Sequence, residues 1–209
     1  PIVGLKRIFA SCRWRSAAQS TLQKGASLII VLIMLGVIAL TSAAMLRNAS
    51  SNERIGNNFR MHALAQQYAE AALRYCETQV TLADASRTNS LKESNLFVTS
   101  DSTSSAWRKR STWSGGSSVS RTTVPEAFVV SAESAFKPGH LPDCVVEKQT
   151  LDSGAVYVIT ARGFSSDYTA DARGFTVTGS VVWLQTLLSL QGSGVADRTW
   201  RRIFTPPIN

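Results

Sequence analysis

Residues 26–46 constrain this chain more than any other feature, because they form an uninterrupted stretch of 21 residues without an ionisable side chain. As an α-helix, such a stretch would be about 31 Å long at roughly 1.5 Å per residue. That length matches the hydrocarbon core of a bilayer, which is about 30 Å thick. We therefore predict a membrane-spanning helix over residues 26–46.

The charge on either side of this segment predicts its orientation. Residues 1–25 contain five basic residues and no acidic one, which leaves +3 of the net charge of +8 for the rest of the chain. Basic flanks stay in the cytoplasm, so the chain from about residue 47 is expected across the membrane, in the periplasm. Since most of the excess charge is this flank, nucleic acid is not expected as a direct, specific partner.

Three interpretations of the segment compete. A cleaved secretory signal has an apolar core of about 7–15 residues and a small-x-small site, which "TSAAM" at residues 41–45 provides, but the preceding run is longer. A permanent single-span anchor fits the length and the flanks. The third interpretation depends on the junction "KGASLII" at residues 24–30.

This junction resembles the cleavage site of type IV prepilins, where a basic leader ends in glycine and is cut before a small or aromatic residue. The resemblance implies that residues 1–25 are a leader, that Gly25 is its last residue and that Ala26 is the mature N-terminus. A glycine without a side chain can enter a protease cleft in an extended conformation. Prepilin peptidase is then an expected partner.

The residues after the cut would begin the helix through which pilins assemble. These helix-assembly residues are Ser27, Leu28, Ile29 and Ile30. Major pilins carry a glutamate at the fifth mature position, where this chain has Ile30. The missing carboxylate points to a minor component of the pilus.

The stretch "SSNERIGNNFRMHALAQQYAEAALRYCE", residues 50–77, is similar to the N-terminal pattern of PilX-type minor pilins. In that pattern a Glu-Arg pair, here Glu53 and Arg54, and a Gly-Asn pair precede an alanine-rich helix. The resemblance covers residues 24–78. Glu53 and Arg54 have two interpretations, an intersubunit contact or a solvated junction.

Periodicity predicts a helix here without reference to the family. Apolar residues recur at three- and four-residue intervals and form one stripe: Ala65, Tyr68, Ala69, Ala72, Tyr75 and Cys76. Residues 26–80 could thus form one helix about 80 Å long. Gly56 and the asparagines after it are poor helix formers, so a break there is possible.

Residues 81–209 are expected to form a soluble, β-rich head. Serine and threonine dominate residues 81–121, which predicts a long loop with limited order. Strand patterns follow at residues 127–131, 144–148, 155–163 and 175–185. The predicted fold class is therefore α+β, a long N-terminal transmembrane helix packed on an antiparallel β-sheet, which is the pilin architecture.

Two basic segments of the head stand out. "WRKRSTW", residues 107–113, has basic residues between two tryptophans. Such a segment can bind phosphate, stack on bases or dock on lipid, although a solvated loop with two partly packed tryptophans is commoner. The tail at residues 198–204 contains a tryptophan between arginines. It is a second possible contact surface or a frayed basic end.

The cysteines allow one disulfide. Cys76 and Cys144 would lie outside the cytoplasm, where disulfides form, and closing a loop of about 68 residues would stabilise the head by roughly 4 kcal/mol. Two buried free thiols are the alternative. Cys12 faintly resembles a lipoprotein site, but Lys6 and Arg7 interrupt the apolar stretch that such a site needs.

Nothing in the sequence indicates catalysis. The only histidines, His62 and His140, lack metal-ligand spacing, and there is no G-x-S-x-G motif and no phosphate-binding glycine loop. We expect no enzyme, cofactor or metal site.

The resemblance implies a minor pilin of the inner membrane that primes or joins type IV pilus assembly and supports adhesion, twitching motility or DNA uptake. Its partners would be other major and minor pilins, inner-membrane pilus assembly proteins and prepilin peptidase. Two alternatives remain open: a minor pseudopilin of a type II secretion system, and an uncleaved single-span periplasmic binding or sensor module.

Overall fold

The structure, a computed structural model, describes residues 24–99, 105–114, 119–129, 136–151, 154–191 and 194–207. It divides into two units, one ending at Asn52 and one beginning at Glu53. The fold is α+β, with one long helix and a mixed sheet, which confirms the predicted class at this level. The predicted leader, residues 1–25, lies outside the described residues except for its last two positions, Lys24 and Gly25.

The long helix α1 extends over Lys24–Thr81, close to the predicted 26–80. No break occurs at Gly56, because a single exposed glycine costs a helix only about 1 kcal/mol and no proline follows it. The predicted apolar stripe is buried except for Tyr75, which is half-buried. Periodicity therefore identified the packed face of α1 correctly.

Eight strands follow among the described residues. They are β1 (Phe97–Thr99), β2 (Arg121–Thr123), β3 (Asp143–Leu151), β4 (Gly154–Phe164), β5 (Thr169–Ala170), β6 (Thr176–Thr178), β7 (Val181–Gln191) and β8 (Gly194–Ile203). The main sheet has the order β1-β3-β4-β7-β8, with β2 also paired to β3, and β5 pairs with β6 in a separate ribbon. Two four-residue helices, α2 (Arg110–Trp113) and α3 (Glu126–Val129), lie in the connections.

Each face of the main sheet buries its own core, because successive side chains along a strand point to opposite faces. Val182 and Leu184 of β7 pack with the buried stripe of α1. Trp183, which lies between them, packs with Trp107 and Trp113 from the segment before β2. The sheet is therefore covered by α1 on one face and by residues 105–114 on the other.

The close approach of α1 to the sheet requires Gly163 of β4. A Cβ atom at this position would lie 2.8 Å from Ala69 Cα and closer still to the backbone nitrogen of Ala69 and the carbonyl oxygen of Ala65. Small residues on the helix and a glycine on the strand thus let two backbones meet.

We expect Gly163→Ala to lower the free energy of unfolding of the head by about 1–3 kcal/mol, since overpacking forces backbone shifts of this cost. Urea unfolding followed by tryptophan fluorescence measures the change. Gly194→Ala in β8 is the matched control, because a Cβ there meets its nearest atom at an ordinary 3.8 Å. Equal stability of the two variants would contradict the close contact at Gly163.

The predicted purely antiparallel sheet is wrong in one pair, because β1 runs parallel to β3. Three residues at a sheet edge carry no sequence signal for direction. The strand predicted over residues 175–185 is two strands in different sheets, β6 and β7. Gly179 between them has φ +80°, a left-handed conformation that ends an extended run.

Two further predictions were also wrong. The strand at residues 127–131 is instead α3, a turn of helix that begins directly after Pro125, as far as the described residues extend. The basic tail is not frayed but forms β8, which pairs with β7 from Gln191 to Trp183. An edge strand with two partly solvated faces shows no apolar alternation, so its pattern was missed.

The described parts of residues 81–121 are packed on the sheet. Three short 3-10 turns, Asp84–Ser86, Asn89–Leu91 and Glu93–Asn95, precede β1, and a fourth, Ala106–Arg108, precedes α2. Leu91, Trp107 and Trp113 are buried. The two tryptophans of "WRKRSTW" are thus core residues, while the basic residues between them are exposed.

Candidate functional site

The most distinctive surface of the chain is the first part of α1, residues 27–46. Its thirteen large apolar side chains are each between 52% and 74% exposed, and they occur on every side of the helix. A helix that is apolar all round belongs in lipid or among other helices. This segment is long and apolar enough to cross a membrane.

The polar side chain of Thr41 is satisfied within the helix. Its hydroxyl donates to the carbonyl oxygens of Val37 and Ile38, each at 3.0 Å. A hydroxyl that bonds to its own helix needs no water, which suits a hydrocarbon environment.

The predicted processing residues lie at the beginning of α1. Gly25 and Ala26 are in its first turn, and Ser27, Leu28, Ile29 and Ile30 follow with exposed side chains. Their exposed side chains leave these positions available for contact with lipid or with neighbouring helices.

Glu53 and Arg54 are exposed on α1. Within the described part of the chain neither forms an ion pair or a side-chain hydrogen bond with another residue. Both interpretations of this pair, a solvated junction and an intersubunit contact, therefore stay open.

The structure joins Cys76 of α1 to Cys144 of β3 in a disulfide. The two Cα atoms are 6.7 Å apart, and both side chains are fully buried in the core between α1 and the sheet. The bond ties the last turns of α1 to the centre of the head.

Polar contacts attach the same helix to the edge strand β8. Arg198 forms an ion pair with Glu77 of α1, with 3.1 Å between Nη2 and Oε2, and Arg202 contacts His62 Nε2 at 2.6 Å. This pairing could not be predicted from the sequence, because β8 itself was not predicted.

A buried ion pair secures the opposite face of the sheet. Arg162 donates to both oxygens of Asp143, at 2.6 and 2.9 Å, and to the carbonyl oxygen of Trp113 at 3.3 Å. The guanidinium also lies over the rings of Trp113, Phe164 and Trp183. Such a paired charge holds residues 105–114 on the sheet.

Glu147 of β3 is a second buried acid, and its side chain has no exposure. Oε1 accepts the backbone N–H of Trp107, whereas Oε2 has no hydrogen-bond partner. Burial raises the pKa of Glu147 to about 7, although hydrogen bonds from the Trp107 and Ala106 backbone and the charges of Lys109 and Arg108 act to lower it. Sequence analysis had no signal for this residue.

No group of histidine, cysteine and acidic residues that could hold a metal ion occurs among the described residues. His62 and His140 each contact other groups, the Arg202 guanidinium and the Leu141 carbonyl oxygen.

Comparison of the chain with protein-family models, curated proteins and solved structures gives no match. The resemblance to type IV pilins therefore rests on the sequence motifs described above, at residues 24–30 and 50–77.

Proposed function

We propose that this chain is a PilX-type minor pilin that primes or joins the assembly of a type IV pilus. The observation that carries the proposal is the exposure of apolar side chains on every side of residues 27–46 of α1. Such a segment requires lipid before assembly and neighbouring helices after it. Lipid and packed helices are similarly apolar, so exchanging one for the other keeps extraction from the bilayer feasible.

The second part of α1 also supports the proposal, because its surroundings differ from those of residues 27–46. From Ala65 onward the same helix packs on the sheet and is bound to it by the disulfide. A pilin needs this division, because one part of its helix assembles and the other carries a soluble head. Two further features of the sequence agree with a minor pilin, the basic leader and the isoleucine at position 30.

The first test is the N-terminal residue of the full chain, purified from membranes of cells with and without prepilin peptidase. Intact mass and N-terminal peptides should show loss of residues 1–25 and a start at Ala26, only where the peptidase is present. Gly25→Val should abolish the cut. Gly36→Val is the matched control and should be processed normally, because a side chain at Gly36 meets no atom within 4 Å.

Other outcomes would replace the proposal. An intact leader in the presence of the peptidase would mean a single-span anchor with a binding or sensor head. A start just after Ala44 would mean a secreted protein. If the cut occurs as expected, the remaining alternative is a minor pseudopilin of a type II secretion system, which the chain's dependence on one or the other assembly machinery separates.

A further inference from the structure

The last strand of the main sheet, β8, has an open edge. The sheet ends with β8, and among the described residues only β7 pairs with it. The pairing is regular from Asp197 to Ile203, after an irregularity near the beginning of the strand, and residues 194–201 are exposed. A long, exposed edge strand offers a row of backbone N–H and C=O groups to another chain.

Two hydrogen bonds indicate which backbone groups of β8 point away from β7. The hydroxyl of Thr186, on β7, donates to the carbonyl oxygen of Thr199 at 3.1 Å, so Thr199 directs its backbone groups toward β7. The N–H of Arg198 donates instead to a side chain of its own strand, Asp197 Oδ1, at 2.8 Å. Because this direction alternates along an antiparallel strand, the backbone groups of every second residue from Arg198 to Arg202 lie at the open edge.

This edge carries positive charge on both faces of the sheet. Arg202 lies on the face covered by α1, where it contacts His62 Nε2. Arg201 lies on the other face, where it donates to Gln185 Oε1 at 2.7 and 2.9 Å. Neither contact is with an acidic side chain, so each face of the edge can pair with one carboxylate.

From this arrangement we propose that β8 binds an extended, acidic segment of a partner protein as a further strand of the main sheet. Backbone hydrogen bonds along the open edge hold the segment, a mode known as β-augmentation. Successive side chains of the added strand point to opposite faces, so two adjacent acidic residues meet Arg201 on one face and Arg202 on the other. The proposal does not depend on the minor-pilin function.

The same charges disfavour β8 of a second copy of the chain as the occupant. Pairing of two β8 strands would bring the arginines at residues 198–202 of one copy close to those of the other. Like charges that face each other across two strands are destabilising, whereas an acidic strand meets opposite charges at these positions. The ring of Trp200, 62% exposed, is available to an apolar side chain of the added strand.

The test uses the full chain in a non-ionic detergent and an end-blocked, labelled peptide, Thr-Thr-Val-Glu-Glu-Val-Thr-Thr, whose binding is followed by fluorescence anisotropy. Two further forms of the peptide carry N-methyl groups on alternate backbone nitrogens, each form on a different edge of the extended peptide. One methylated form should bind at least about tenfold more weakly, because it loses the backbone bonds to β8. The other should bind as the unmethylated peptide does, since its methyl groups face solvent.

Variants of the protein test the charges. Arg201→Gln/Arg202→Gln should weaken binding of the acidic peptide about 3-fold to 10-fold, as expected for the loss of two cross-strand pairs of opposite charge. Arg201→Glu/Arg202→Glu should instead prefer the peptide with two lysines in place of the glutamates. The matched control is Lys92→Gln/Arg173→Gln, which removes two charges from residues outside β7 and β8 and should leave the affinity within about twofold.

Three outcomes would overturn the proposal. Equal affinities of the two methylated forms would mean that backbone pairing along one edge does not hold the peptide. Equal binding of the glutamate and lysine peptides by the unaltered chain would exclude charge complementarity. Tighter binding of a peptide copy of residues 194–203 than of the acidic peptide would assign the edge to a second copy of the chain. An unaltered circular dichroism spectrum of each variant establishes that the head is folded.

Discussion

Replacing Cys76 and Cys144 together by serine is expected to lower the free energy of unfolding of the head by about 4 kcal/mol. The disulfide closes a loop with a sequence separation of 68 residues, and losing it returns that chain entropy to the unfolded state. Urea unfolding of the full chain in detergent measures the effect. The buried, contacting rings of Trp113 and Trp183, 4.6 Å between centroids, give the fluorescence signal.

Cys12→Ser is the matched control, because it removes a cysteine that takes no part in this disulfide. It should unfold at the same urea concentration as the unaltered chain when expressed without prepilin peptidase. A reductant should lower the midpoint of the unaltered chain but not that of Cys76→Ser/Cys144→Ser. If the double variant were as stable as Cys12→Ser, the two cysteines would be free thiols in the protein.

The sequence predicted those parts of the fold that depend on a simple period. The stripe of α1 repeats every three or four residues, and strands β3, β4 and β7 combine β-branched residues with buried faces. The same rule failed at β8. Its side chains contact α1 on one face through Arg198 and Arg202 and are largely exposed on the other, where only Ile203 packs on the core, so neither period appears.

The candidate sites also differ in whether the sequence alone could predict them. The apolar segment 27–46 could be predicted because membrane length and composition are local properties. The contacts of α1 with β8 could not, because Arg198 and Arg202 lie on a strand that only its pairing with β7 places beside the helix. Gly163 could not be assigned its role either, since a close approach depends on what lies opposite.

Glu147 should make the head less stable as the pH rises. Burial raises the pKa of its carboxyl group to about 7 from an ordinary value of 4.5, so between these values the folded protein keeps a proton that the unfolded chain has released. The stabilisation that Glu147 contributes to the head is therefore fully present below about pH 4.5 and is lost as the pH rises through about 7. At roughly 1.4 kcal/mol per pKa unit, the loss is about 3 kcal/mol.

Comparing Glu147→Gln with the unaltered chain isolates this group from other titrations. Glutamine keeps an oxygen for the Trp107 N–H and carries no charge, so the variant should be about as stable as the unaltered chain at pH 4 and about 3 kcal/mol more stable at pH 8. The measurement is urea unfolding across this pH range. A constant difference at all pH values would show that the carboxyl group has the same pKa in the folded and the unfolded protein, and would contradict the raised pKa.

Glu93→Gln is a control for which the opposite dependence of stability on pH is expected. Partial burial acts to raise the pKa of Glu93, but hydrogen bonds from Lys148 and Arg87 outweigh it, and the pKa lies below its ordinary value. A lowered pKa stabilises the fold above the unfolded value and is lost as the pH falls, so this variant should be destabilised at pH 8 and less so in acid. Opposite trends in the two variants would follow only from their different surroundings, since each exchange removes one carboxylate.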